Sequence, residues 1–176
     1  MSEREFIPVR IAVLTVSDTR DLSDDRSGDV VRDRLIAAGH ILADRKILRD
    51  ERTEIAAQLR AWIADPDVDV VISTGGTGLT GRDVTVEAHR DVYDKEIDAF
   101  GTVFTQISMA KIGTSAVQSR ACGGVAGGTY LFALPGSPGA CKDGWDGLLS
   151  KQLDYRHKPC NFVEIMPRLD EGLRRK

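Results

Sequence analysis

Short runs of apolar residues alternate along the chain with longer amphipathic stretches. Arg10-Ile-Ala-Val-Leu-Thr-Val-Ser17 is apolar and β-branched and ends in Ser17-Asp18-Thr19, so it reads as a buried strand feeding a loop. In Ser27–Ala38, Val31, Leu35 and Ala38 share one helical face, Ser27 is placed to cap the start and Gly39 to stop the end. Ile41–Leu48 gives a second, weaker strand pattern. Ile55, Leu59, Trp62 and Ile63 recur at helical spacing within Thr53–Asp65, and Pro66 ends that helix. Val68–Ser73 reads as a third strand, running into a glycine loop at 74–81.

Two further helices are expected at Thr85–Tyr93 and Ile97–Ala110, with Phe100, Phe104, Ile107 and Met109 as core residues of the second. Ser119–Ala126 and Thr129–Leu134 read as strands joined at Gly127-Gly128, a two-residue hairpin signal. Pro135–Pro138 closes the second of them, and Gly139–Leu153 reads as a helix. Strand and helix repeat in order, with one late hairpin. That order predicts an α/β sandwich, mostly parallel with one antiparallel excursion, in a single domain over 1–176.

Composition narrows the class. The 176 residues carry 24 Lys+Arg against 27 Asp+Glu, a net charge of -3 without a basic balance, which argues against nucleic acid as a partner. No window approaches the roughly 20 apolar residues of a membrane span, and the polar start Met1–Pro8 is not a signal peptide. Cys122, Cys141 and Cys160 lack C-x-x-C spacing and read as reduced thiols of a cytoplasmic protein. His40, His89 and His157 show no ligand spacing and read as packed or solvated. Ser137 in Leu134-Pro-Gly-Ser-Pro138 is not a nucleophile elbow, so no nucleophile or general base is recognisable. Glu171–Lys176 reads as a frayed, solvated tail.

The chemistry concentrates where glycine does. Ten of the 17 glycines fall in 75–81, 123–128 and 136–139. The stretch Ile72–Asp83 directly follows a strand, at the carboxyl edge where α/β sheets gather ligands. Its glycines would let main-chain N–H groups approach a phosphate, and its threonines add donors. It is neither a Walker loop nor a dinucleotide fingerprint, and reads equally as a flexible turn or an anion site. Asp50 and Asp83 end the second strand and this loop. Singly, each reads as a helix N-cap; together, they would suit Mg²⁺ shared with substrate phosphates. Ser119-Arg120 starts a strand, and reads either as an exposed strand end or as an anion contact.

Val13-Leu-Thr-Val-Ser-Asp-Thr19, Asp25-Arg-Ser-Gly28, Ser73-Thr-Gly-Gly-Thr-Gly78, Arg82-Asp-Val-Thr85 with Glu87, and Leu134-Pro-Gly136, taken in this order, resemble the molybdenum cofactor biosynthesis MoaB/Mog family. The resemblance runs from about Arg10 to Pro167. Ile112-Gly-Thr-Ser115, Gln118-Ser-Arg-Ala121 and Lys158-Pro-Cys-Asn-Phe162 look more like its MoaB branch than its Mog branch. The resemblance implies a three-layer α/β/α fold built as trimers, often paired into hexamers. It also implies adenylyltransferase chemistry, with molybdopterin and ATP as ligands, Mg²⁺ accompanying the ATP, and no bound prosthetic group. Carried over by motif, Asp50 and Asp83 match catalytic or metal-binding aspartates. Thr74, Gly75, Gly76, Thr77 and Gly78 match the nucleotide and pterin loop. Ser17, Asp18, Ser119 and Arg120, with Pro135, Gly136 and Ser137, match positions lining the same pocket. The attacking group in that chemistry is a phosphate already ionised at neutral pH, so the missing base and nucleophile agree with it.

Overall fold

Strand β1 (Arg10–Val16) pairs in parallel with β2 (Ile41–Leu48) on one side and β3 (Val70–Thr74) on the other, in a computed structural model that describes residues Arg4–Arg174. β3 continues in parallel to β6 (Thr129–Leu134), which carries β5 (Cys122–Ala126) and then the two-residue β4 (Lys95–Glu96) antiparallel. The sheet order is β2-β1-β3-β6-β5-β4. Every residue of β3 and β6 is buried, as strands covered on both faces require. β2 lies at an edge and alternates exposed with half-buried residues, which is why its apolar pattern is weak.

Successive side chains of β1 point to opposite faces, and each face has its own helical layer. Ile11 and Val13, with Ile72 and Phe132, pack under α1 (Arg26–Ala37), α4 (Asp98–Ile112) and α5 (Pro138–Gly144) through Val31, Leu35, Phe100 and Cys141. Ala12, Leu14 and Val16, with Val71 and Leu131, pack under α2 (Arg52–Ala64) and α3 (Thr85–Arg90) through Ile55, Leu59, Trp62 and Ala88. The result is the three-layer α/β/α sandwich, mostly parallel with an antiparallel hairpin. That hairpin turns at Gly127 and Gly128, whose φ angles of +57° and +91° are the left-handed pair a two-residue turn needs.

Several boundaries differ from the pattern. α3 stops at Arg90, β5 starts at Cys122 rather than Ser119, and a 3₁₀ turn occupies Gly113–Gln118. The late helix is broken by a π-helical turn at Trp145–Leu149 before α6 (Ser150–Gln152). Met109 is 49% exposed rather than core, whereas Phe100 and Phe104 are buried. After α7 (Phe162–Ile165), the expected frayed tail instead forms a helical turn, α8 (Glu171–Arg174); Arg175 and Lys176, like Met1–Glu3, lie outside the described residues. Among the described residues no helix is long and apolar enough to cross a membrane.

Two buried polar clusters tie the layers together. Asp25, not Ser27, caps α1: its carboxylate accepts from the Gly28 N–H at 2.9 Å, from Thr15 Oγ1 at 2.7 Å and from Arg45 Nη2 at 2.9 Å. Burial alone would raise its pKa, but the Arg45, Thr15 and Gly28 bonds outweigh it and hold the carboxylate below its ordinary range. The cluster joins α1 to β1 and β2. On the other face, His89 of α3 lies between Ser73 Oγ (2.8 Å from Nε2) and Tyr93 Oη (3.0 Å from Nδ1). The Tyr93 hydroxyl also lies 3.2 Å from the Leu131 carbonyl, and both ring nitrogens of His89 have a hydroxyl partner. Burial pushes the His89 pKa down to about 3, keeping the ring neutral.

Both clusters have measurable consequences. Asp25→Ala leaves Arg45 partly buried with only Asp29 as an ion-pair partner, and is expected to cost about 3 kcal/mol in urea unfolding. The unfolded chain protonates His89 near pH 6.5 while the folded one resists to about 3, so its contribution is complete above 6.5 and declines as pH falls below it. Compared with His89→Gln, the wild type should lose an extra ~1.4 kcal/mol per pH unit between pH 6 and 4. Parallel stability curves for the two proteins would contradict this.

Candidate functional site

β1 and β3 run parallel, but the connections that leave them go to opposite sides of the sheet. The connection from β1 leads toward β2 and the one from β3 leads the opposite way, so a crevice opens at the carboxyl ends of the two strands. A cleft of about 300 Å³ lies there, lined by Thr15, Val16, Ser17, Ser27, Asp50, Gly75, Gly76, Asp83 and Gly136, with Thr19 and Arg20 at its mouth. Of the residues expected from sequence, it therefore brings together Ser17, Asp50, Gly75, Gly76, Asp83 and Gly136.

The remaining expected residues surround rather than line it. Thr74 is buried and donates to the Pro135 carbonyl at 3.0 Å, joining the ends of β3 and β6. Thr77 is buried within the loop. A side chain on Gly78 would stand 2.8 Å from Asp83 Oδ2. Ser137 N-caps α5 by accepting from the Ala140 N–H at 3.1 Å. Asp18 sits at the rim, paired with Arg82 at 2.8 Å and accepting from the Asp50 N–H at 3.2 Å. Ser119 and Arg120 are not among the lining residues; Arg120 donates instead to the loop carbonyls of Thr77 and Gly78.

Neither aspartate is a helix cap. α2 is entered through Glu51 and α3 through Val84, each without a side-chain cap bond, so the single-residue cap readings of Asp50 and Asp83 are corrected. Asp83 instead closes its own loop, with Oδ2 accepting from the Thr80 N–H at 2.9 Å and Oγ1 at 2.7 Å. The Thr80 hydroxyl bond is the main cause that holds the Asp83 pKa down. Asp50 is shifted the other way, chiefly by burial and then by the nearby negative charge of Asp18, with Asp83 adding to it. Its Oδ1 lies 2.8 Å from where a side chain on Gly76 would begin, so the two carboxylates stand over neighbouring glycines of one loop.

That donor set fits Mg²⁺. Hard cations take carboxylate oxygens, and Mg²⁺ is commonly held by one or two of them plus substrate phosphates. Among the described residues no group of three His, Cys, Asp or Glu side chains could form a metal site from protein alone. Asp50 and Asp83 would supply such a shared site, and a cation there would favour the ionised Asp50 carboxylate against the burial, and then the Asp18 charge, that raise its pKa.

Sequence reasoning passed over Thr15, Ser27, Thr19 and Arg20 as cleft residues, Asp25 beneath the cleft, and Arg82 at its rim. The signal was the Asp25-Arg-Ser-Gly28 motif, whose polar residues interrupt the first turn of an amphipathic helix. The histidines are packed: His40 and His89 are buried, with His40 Nδ1 accepting from the Val9 N–H at 3.2 Å.

A family model described as "Probable molybdopterin binding domain" matches residues 12–155. Molybdenum cofactor biosynthesis protein B of Escherichia coli (strain K12) is 51% identical over 158 residues, covering 90% of this chain and 93% of that protein. Among solved structures, one of a molybdenum cofactor biosynthesis protein B superposes with a TM-score of 0.84 at 36% identity, over 97% of this chain and 99% of that one. The tungsten cofactor synthesizing protein MoaB from Pyrococcus furiosus superposes at 0.75 with 32% identity, over 92% and 97% of the two chains. With a family model over most of its length and close superposition at near-complete coverage, the chain belongs to the MoaB/Mog family of molybdenum cofactor biosynthesis proteins.

Proposed function

We propose that the chain acts in molybdenum cofactor biosynthesis as a molybdopterin adenylyltransferase. The terminal phosphate oxygen of molybdopterin attacks the α-phosphorus of ATP, the bond to the bridging oxygen breaks, and adenylylated molybdopterin and pyrophosphate leave. The observation that carries this reading is the convergence of Asp50 and Asp83 over the Gly75–Gly78 loop in a polar cleft at the switch point of the sheet. The nucleophile is an ionised phosphate, so the work left to the protein is positioning and the stabilisation of charge. Asp50 and Asp83 would hold the Mg²⁺, which supplies charge neutralisation on the phosphates. Ser17 offers a hydroxyl at the cleft wall, and the glycine loop brings main chain close enough for N–H donation.

The same reading includes self-association into trimers, with hexamers formed by their pairing. Met109 and Ile112 on α4 and Val117 just after it are 49–71% exposed apolar side chains at one end of the helix, suited to cover by a second copy. The unpaired thiols of Cys122, Cys141 and Cys160 suit the reducing cytoplasm.

Incubation with molybdopterin, ATP and Mg²⁺ should release pyrophosphate. Asp50→Asn and Asp83→Asn should each slow that release by on the order of 100-fold or more, and chelation of Mg²⁺ should abolish it. Binding of molybdopterin without any pyrophosphate, at every protein concentration, would instead assign a non-catalytic, pterin-holding role in the pathway. Sedimentation should give the mass of a trimer or a hexamer, and a monomer at micromolar concentration would contradict the assembly.

A further inference from the structure

Arg120 precedes β5 and reaches the glycine loop without lining the cleft. Its Nε donates to the carbonyls of Thr77 and Gly78, both at 3.1 Å, and its Nη2 donates to the Gly78 carbonyl at 2.9 Å. The same guanidinium forks onto Glu87 of α3, Nη1 to Oε1 and Nη2 to Oε2. A two-pronged Arg–carboxylate pair fixes the plane of the guanidinium, so Glu87 aims Arg120 at the loop. In a trans peptide, C=O and N–H point in opposite directions. With the Thr77 carbonyl drawn toward Arg120, the Gly78 N–H of the same peptide is turned toward Asp83, whose negative charge it helps to stabilise.

We propose that Glu87 and Arg120 are a positioning pair: Arg120 grips the carbonyls of the glycine loop, turns the Gly78 N–H onto Asp83 and so holds Asp83 in place at the cleft, and does not touch substrate. The proposal deepens the adenylyltransferase reading and rests on it for the role of Asp83. It also separates Arg120 from Arg82, which stands at the cleft rim with its side chain 57% exposed, against 29% for Arg120. An arginine already committed to two carbonyls and a carboxylate has few donors left for a phosphate.

The test uses the full chain and three variants, Arg120→Met, Arg120→Lys and Glu87→Gln, with two readouts. The first, amide hydrogen exchange, needs no turnover. Arg120→Met should accelerate exchange at Gly78 and Leu79 at least tenfold while the amides of Leu131 and Phe132 in β6 stay unchanged. Glu87→Gln should move the same amides less, and Arg120→Lys should restore part of the protection. The second is steady-state pyrophosphate release, in which Arg120→Met should lower kcat about 10- to 100-fold and leave KM for ATP and molybdopterin within twofold. Unchanged exchange at Gly78, or a tenfold rise in either KM with kcat intact, overturns the proposal, the latter by making Arg120 a substrate ligand. If the wild type releases no pyrophosphate, the adenylyltransferase reading fails alone and the exchange of Gly78 still decides the pair. Should Arg120→Met fail to fold, Arg120→Lys and Glu87→Gln give the same decision.

Discussion

Three backbones meet at the carboxyl edge of the sheet at a separation that only glycine permits. A side chain on Gly75 would begin 2.3 Å from the Val16 carbonyl oxygen, and one on Gly136 would begin 2.9 Å from the Cα of Gly75. Gly75 and Gly76 also adopt φ angles of +96° and +66°, a region that other residues enter at a cost. The close approach lets the loop's own polar groups find partners. The Gly75 N–H donates to the Leu134 carbonyl at 3.1 Å, and Thr85 Oγ1 donates to the Gly75 carbonyl at 2.7 Å. Held in this way, the ends of β1, β3 and β6 form one continuous edge, and Val16, Gly75, Gly76 and Gly136 face the same cleft from it.

Charge is distributed around this edge in a consistent way. Carboxylates that hold structure have cationic partners: Asp25 has Arg45, Asp18 has Arg82, and Glu87 has Arg120. Asp50 and Asp83, which stand over the loop, form no ion pair among the described residues. The paired carboxylates restrain the walls, whereas the charges of Asp50 and of Asp83, the latter held by hydrogen bonds from Thr80, have no salt bridge to compete with a bound cation. A net charge of -3 is therefore a poor guide to whether the protein can hold a polyanion. What matters is local: main-chain approach at the glycines, the hydroxyl of Ser17, and two carboxylates that would suit Mg²⁺.

Much of this framework was legible along the chain, because burial on two faces leaves a periodic mark. β1, β3 and β6 carry uninterrupted apolar runs, α1 and α2 carry amphipathic stripes, and Gly127-Gly128 marks its hairpin. Features that depend on neighbours distant in sequence were not. β4 is two exposed residues held by pairing with Val125 and Gly124, and has no pattern of its own. Asp25 displaces Ser27 as the cap of α1 because its carboxylate is already drawn inward by Thr15 and Arg45. Met109 belongs to a helix whose apolar residues extend beyond the stripe that the sheet covers, so pattern alone placed it inside.

The site divides along the same line. The sequence by itself determined that a glycine-rich loop follows a buried strand, that it ends in an aspartate, and that another aspartate ends the strand before. These are local facts, written in residue type and spacing. Only the tertiary structure decided that Asp50 and Asp83 stand over adjacent parts of one loop, that Arg120 grips the carbonyls of that loop, and that Ser119 stays outside the cleft. The reason is the sheet order: β1 lies between β2 and β3, so segments far apart in the chain end at a single edge. Periodicity reports which face of an element is buried, but not which element lies beside it.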